Sequence, residues 1–160
     1  MFKAATLART CLAGLALVVL SASLAKAIYG PRTTIGKNYQ QFSNTMSTNG
    51  IDQAQCVNAE NCYVLFQLTP QQKPLTVQHV SCRVTVGVGE IRQGKLLTRK
   101  GQDFMFRQTV LVPVPTSSTW WAVNSPVMHL VKSGERPIIF FQNSPAASWA
   151  LECSISGRLQ

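Results

Sequence analysis

The sequence predicts an all-β protein: an antiparallel β-sandwich of jelly-roll or Ig-like type, with about seven to eight short strands and two disulfides. Three observations support this fold class. Apolar and polar residues alternate with a period of two in several segments. Turn-forming residues separate these segments at short, regular intervals. No segment after residue 27 keeps a helical period over three turns. Short alternating strands joined by turns are typical of sandwiches and jelly rolls.

The first 27 residues have the order of a secretory signal peptide. Lys3 and Arg9 supply positive charge before the apolar run from Cys11 to Leu20, and Ala25-Lys26-Ala27 offers small side chains for cleavage near Ala27. The apolar run is too short to cross a hydrocarbon layer of about 30 Å. We therefore expect a secreted or periplasmic protein with no transmembrane segment in the mature chain.

Cleavage after Ala27 leaves residues 28–160, a typical length for one domain. We divide it into an extended or irregular N-terminal arm (28–55) and a β-sandwich domain (56–160). Removing Lys3, Arg9 and Lys26 leaves 12 basic residues against six acidic ones, a net charge of +6. Such an excess favours acidic partners, namely anionic glycans, envelope lipids or acidic proteins. An exported chain has little reason to meet nucleic acid, which we do not expect as a partner.

The strands are predicted from alternation and ended by turn residues. Within the arm, a brief edge strand is expected near Tyr39 to Phe42, and Asn49-Gly50 is a turn signal. A hairpin turn is expected at Gln93-Gly94, and Pro113 and Pro115 predict a sheet edge or an exit from the sheet. The predicted strands are Cys62 to Thr69, Thr76 to Val88, Phe104 to Val114, Trp120 to Val123, Val127 to Val131, Pro137 to Phe141 and Trp149 to Ser156.

The four cysteines after residue 27 predict two disulfides, because an even number in an exported chain usually pairs. Cys56 and Cys62 flank a short polar stretch that can turn back on itself. Cys82 and Cys153 each lie on the apolar face of an alternating strand, so we favour the pairs 56–62 and 82–153. The alternative joins Cys62 to Cys82 or Cys153. Paired Cys-x-x-Cys units are absent from the sequence, so we expect no metal site.

Catalytic residues are few, and we expect a protein without enzymatic activity or cofactor. His79 and His129 are interpreted as partly buried strand histidines rather than general bases. No Gly-x-Ser-x-Gly motif occurs. A small secreted hydrolase, with carboxylates brought together from separate strands, remains as an alternative.

Two features are candidate ligand-binding sites. The first is a basic run consisting of Arg92, Lys95, Arg99, Lys100 and Arg107, which would attract anions if it gathered at a hairpin tip. The alternative is that the basic run binds no ligand and forms a solvated hairpin, whose charges prevent the edges of two sheets from pairing.

The second candidate is Trp120-Trp121, since neighbouring strand residues point to opposite faces. One ring could then be exposed for stacking on a sugar, unless a loop such as Thr116 to Thr119 covers it. The sequence thus predicts an exported non-enzymatic binding or envelope-associated protein. The alternative is a carbohydrate-binding module that uses an exposed tryptophan.

Overall fold

The computed structural model describes residues 29–48, 56–58, 60–87, 89–101, 103–144 and 148–160. These residues are all-β, as predicted, and form two antiparallel sheets. Within the described ranges, no helix is long and apolar enough to cross a membrane. The predicted signal peptide and the predicted turn at Asn49-Gly50 lie outside the described residues.

The strands are divided between a six-stranded and a five-stranded sheet. The six-stranded sheet has the order β1-β2-β11-β5-β9-β8, and the five-stranded sheet has the order β3-β4-β10-β6-β7. Their bounds are β1 (Tyr29–Ile35), β2 (Asn38–Thr48), β3 (Cys56–Asn58), β4 (Asn61–Leu65), β5 (Leu75–Val86), β6 (Ile91–Lys100), β7 (Asp103–Leu111), β8 (Val114–Pro115), β9 (Trp120–Val131), β10 (Arg136–Asn143) and β11 (Ser148–Leu159).

Most connections between the long strands cross from one sheet to the other. The chain changes sheet after β2, β4, β5, β7, β9 and β10, while β6 and β7 are adjacent in the same sheet. Pro113 lies between β7 and β8, where the chain leaves the five-stranded sheet, and Pro115 is in the edge strand β8. Both positions agree with the loss of a backbone donor at proline. Buried side chains from both sheets meet in one hydrophobic core.

Residues 29–48 form two strands of the six-stranded sheet, which is more structure than the brief edge pairing expected there. The sequence of β2 does not show the apolar–polar alternation of a strand, because two of its inward-facing residues are polar. Gln41 and Ser43 are both buried. The Tyr39 hydroxyl donates to Gln41 Oε1 at 2.6 Å, and the Ser43 hydroxyl donates to the Leu65 carbonyl at 2.7 Å. These hydrogen bonds offset the cost of burying polar groups.

The paired strands β5 and β11 show the predicted alternation. Val80, Val84, Leu151 and Ile155 are buried, whereas the residues between them on the opposite face are partly or fully exposed. Cys82 lies directly opposite Cys153, with their Cα atoms 4.1 Å apart, and the two form a disulfide. This confirms one predicted bridge and excludes a bond from Cys62 to either cysteine.

The turn predicted at Gln93-Gly94 is wrong, because β6 continues through it. Gly94 is buried, and a side chain there would meet the Phe141 ring at 3.0 Å and the Leu111 carbonyl oxygen at 3.1 Å. Close packing, rather than a turn, therefore requires this glycine. The chain turns instead after β6, where Gly101 has a φ of 60°. The two short strands predicted between Trp120 and Val131 are likewise one strand, β9, with a pairing irregularity near Pro126.

Replacing both Cys82 and Cys153 with alanine should lower the free energy of unfolding by about 4 kcal/mol, because the bridge closes a long loop in the unfolded chain. The two cysteines are 71 residues apart in the sequence. Denaturant unfolding of the oxidised parent and of the double variant measures the difference. Ser154→Ala, which changes an outward neighbour on β11, is the matched control. A double variant as stable as the parent would contradict this account of the bridge.

Candidate functional site on the outer face of the six-stranded sheet

The outer face of the six-stranded sheet, turned away from the core, carries polar and aromatic side chains across its central strands. Because strands alternate, the residues that separate the buried positions of β2, β5 and β11 point to this face. In register across the sheet, Glu152 of β11 lies opposite both Asn44 and Arg83. Ser154 lies opposite Ser81 two residues further along.

The two adjacent tryptophans separate as strand geometry requires. Trp121 packs against the hydrophobic core. Trp120 is half-buried and lies on the outer face beside Arg83. The segment before it is tied to the Trp120 backbone, because the amides of Thr116 and Ser117 donate to the Trp120 carbonyl at 2.8 and 3.2 Å.

The guanidinium of Arg83 stacks on the ring of Trp120, with its central carbon 3.4 Å from the ring centroid. A planar cation over an indole is held by cation–π attraction. Together with Thr85, Ala150 and Glu152, these two side chains line a groove of ≈ 150 Å³. The groove therefore combines an aromatic surface, fixed guanidinium donors and a carboxylate acceptor.

A larger groove of ≈ 340 Å³ lies on the outer side of β1, β2, β5 and β11. Neutral polar side chains and one aliphatic side chain form most of its lining. The lining residues are Thr33, Ile35, Asn38, Tyr39, Gln40, Gln78, Ser156 and Gly157.

The basic run does not gather at a hairpin tip, because the predicted turn at Gln93-Gly94 is absent. Arg92 is exposed near the start of β6, and Lys100 lies opposite Asp103 beside the turn. Lys95 and Arg99 are partly exposed along β6. Arg107 instead forms an ion pair with the buried Glu135. The five cations are thus distributed over two strands.

Behind Arg107 lies a buried polar cluster that includes one of the two histidines. His129 is only 4% exposed, and its Nδ1 is 2.8 Å from the Thr109 hydroxyl. Glu135 also accepts a hydrogen bond from the Lys132 backbone amide at 2.9 Å. Burial, reinforced by the Arg107 charge and opposed by Glu135, lowers the pKa of His129 below its usual 6.5. A neutral, enclosed imidazole fits the interpretation of His129 as a strand histidine.

The sequence predicts Trp120 as a candidate binding residue but does not predict the residues that line the groove with it. Arg83, Thr85 and Ser81 were recognisable as the polar face of β5, yet nothing local indicates that β9 and β11 flank that strand. Glu152 is likewise one polar residue in an alternating strand. Arg83, Trp120 and Glu152 come together through pairing between strands that are far apart in the chain, and a single sequence does not reveal this pairing.

No family model, curated protein or solved structure matches this chain. Among the residues that the structure describes, no group of three or more His, Cys, Asp or Glu side chains is placed to hold a metal ion. The two grooves are therefore the features from which a function can be inferred.

The buried His129 should make stability depend on pH. A histidine whose pKa is lowered on folding contributes stability above its unfolded value of 6.5. That stability is lost as the pH falls through the lowered pKa. We expect the free energy of unfolding to decrease as the pH falls below 6.5, and His129→Gln should reduce this decrease.

Denaturant unfolding at a series of pH values measures the effect. His79→Gln, which removes a histidine but leaves the buried cluster intact, is the matched control. The explanation fails if His129→Gln and the parent show the same slope of stability against pH.

Proposed function

We propose that this chain is an exported, non-enzymatic binding protein that recognises a glycan through the outer face of its six-stranded sheet. The observation that carries the proposal is the groove in which Trp120, stacked by Arg83, adjoins Glu152. Sugars present apolar C–H faces and a rim of hydroxyl groups. An indole provides a flat apolar surface, while a guanidinium and a carboxylate provide donors and acceptors for hydroxyls.

The stacking of Arg83 on Trp120 favours a preformed site. Each side chain restricts the other, so less conformational freedom is lost when a ligand is bound. The guanidinium covers one face of the indole, so we expect the sugar to pack on the remaining exposed part of the ring. Glu152, opposite Arg83 in the sheet register, balances its charge. A neutral or weakly acidic sugar fits this pair better than a densely charged anion.

The groove beside Trp120 is lined by one carboxylate, that of Glu152. Glu135 is not part of this lining and is buried in an ion pair with Arg107. Glycoside hydrolysis usually needs two carboxyl groups on either side of the bond that is cleaved. This arrangement supports a binding role over the alternative of a small hydrolase.

We also propose that the two sheets form a jelly-roll sandwich. The long strands follow the orders β2-β11-β5-β9 and β4-β10-β6-β7, with most connections crossing between sheets. Nested antiparallel strands of this kind characterise the jelly roll, a fold found among lectin domains. The fold is compatible with glycan binding, but a fold does not by itself determine function, and the groove carries the proposal.

The second disulfide remains a proposal, between Cys56 and Cys62. The two residues lie opposite each other where β3 pairs with β4. Cys62 is buried on the inward face of β4. The bridge would close a short loop and contribute about 2 kcal/mol, less than the long-range bridge.

A second candidate function is the binding of an anionic partner, such as an envelope lipid or an acidic protein, by the basic run. One observation favours it: Arg99 lies directly opposite Arg136 in the register of β6 and β10. Lys95 lies four residues before Arg99 on the same face of β6. Binding there would weaken steeply with salt, because exposed charges are screened beyond about 8 Å at physiological ionic strength.

Glycan binding can be tested by calorimetric titration of the mature protein with chitohexaose, cellohexaose and hexagalacturonic acid. At least one should bind, and Trp120→Ala should weaken its affinity roughly tenfold, the loss expected from removing a stacked aromatic ring. The double variant Arg99→Glu/Lys100→Glu is the control for the basic run and should bind like the parent. Unchanged thermal midpoints would show that the variants remain folded.

The outcomes of this titration separate the two candidate functions. Binding that survives Trp120→Ala, but is lost in the charge-reversed variant or at high salt, would support the basic run instead. The glycan proposal is refuted if none of the three oligosaccharides binds.

Export and disulfide formation can be tested together on the secreted protein. Its intact mass should equal that of residues 28–160 with both disulfides formed, because cleavage is expected after Ala27 in an oxidising compartment. N-terminal sequencing should begin at Ile28. Retention of Met1 in the exported fraction, or free thiols at Cys56 and Cys62, would contradict the corresponding part of the proposal.

A further inference from the structure

The larger groove of the outer face has a lining suited to one functional group. Asn38, Gln40 and Gln78 contribute carboxamides, each of which both donates and accepts hydrogen bonds. Ile35, 72% exposed, contributes an aliphatic surface at the same site. An acetamido group presents one N–H, one carbonyl and one methyl group. The groove offers a complementary partner for each of the three.

Backbone irregularities give this groove its shape. Ser156 pairs with His79 and Gly157 with Val77, so Gln78 is an extra residue on β5. A bulge of this kind redirects a side chain and increases the local twist of the sheet. Gly157 permits the close approach of β5, because a side chain there would come within 2.1 Å of the Thr76 carbonyl oxygen. The exposed Gln78 side chain thereby becomes part of the groove lining.

The two grooves belong to one continuous face. From Ala150 to Ser156 along β11 is about 20 Å at the rise of an extended strand. Between them lie Ser154 and its register partner Ser81, whose hydroxyls can donate and accept. A short oligosaccharide lying along β11 could therefore contact both grooves at once.

We propose that the larger groove is a second sugar subsite that accommodates an N-acetylhexosamine unit of the same glycan. The ligand is then an extended N-acetylated glycan, held by Trp120 and Arg83 at one end and by the carboxamides at the other. This inference rests on the proposed glycan-binding function and specifies its substrate class. The volume of the larger groove, ≈ 340 Å³, falls within the usual range of small-molecule sites.

The test compares three probes by calorimetric titration: chitohexaose, chitobiose and cellohexaose. Chitohexaose should bind about tenfold more tightly than cellohexaose, which carries hydroxyls in place of acetamido groups, and also more tightly than chitobiose, which is too short to reach both grooves. The double variant Gln40→Ala/Gln78→Ala should reduce chitohexaose affinity about tenfold, as expected for the loss of two hydrogen bonds. Gln108→Ala, an exposed glutamine on β7, is the matched control and should have no effect.

The outcomes distinguish this inference from the function on which it depends. If an oligosaccharide binds through Trp120 but the Gln40/Gln78 double variant binds chitohexaose normally, the second subsite is refuted and glycan binding stands. Equal affinities for chitohexaose and cellohexaose would refute the specificity for acetamido groups. If no probe binds, both the function and the subsite are refuted.

Discussion

The structure depends on the alternation of the two central strands β5 and β11 and on the Cys82–Cys153 bridge between them. Every second residue of these strands faces the core, except at the β5 bulge containing Gln78, and the bridge joins one pair of inward-facing residues. Because a shift of one residue would turn every side chain to the other face, burial fixes the register strongly. The same register places Arg83 against Glu152 on the opposite side. Core packing and the candidate site are therefore consequences of one pairing.

The outer faces of the two sheets have different chemistry. The six-stranded sheet presents carboxamides, hydroxyls and an aromatic ring stacked by a cation, which suits ligands with many hydroxyl groups. On the five-stranded sheet, the partly exposed Leu65 and Leu97 lie on either side of the buried Ile138 in one row across β4, β10 and β6. Cations flank that row at neighbouring positions of β6 and β10. This contrast favours glycan binding on the six-stranded sheet and a salt-sensitive anionic partner on the five-stranded sheet.

Local pattern predicts the features that depend on alternation alone: the all-β class, strands β5 and β11, the bridge from Cys82 and the opposite orientations of Trp120 and Trp121. It fails where other constraints dominate. Two inward residues of β2, Gln41 and Ser43, are polar and form hydrogen bonds inside the protein, so alternation alone does not predict this strand. Gly94 serves packing against Phe141 rather than a turn. The pairing of Arg83 with Trp120 depends on non-local strand order, and it was not predictable.

The central claim, that the outer face of the six-stranded sheet binds a glycan, is tested most directly by locating the bound ligand on the protein. An ¹⁵N–¹H correlation spectrum recorded during titration with chitohexaose reports on each of the three tryptophan indoles separately. The account predicts that the Trp120 indole and the amides of Arg83, Gln78 and Ser156 shift with a common saturation curve, while the Trp121 indole remains unchanged. Shifts confined to β6 and β7, with Trp120 unaffected, would contradict it.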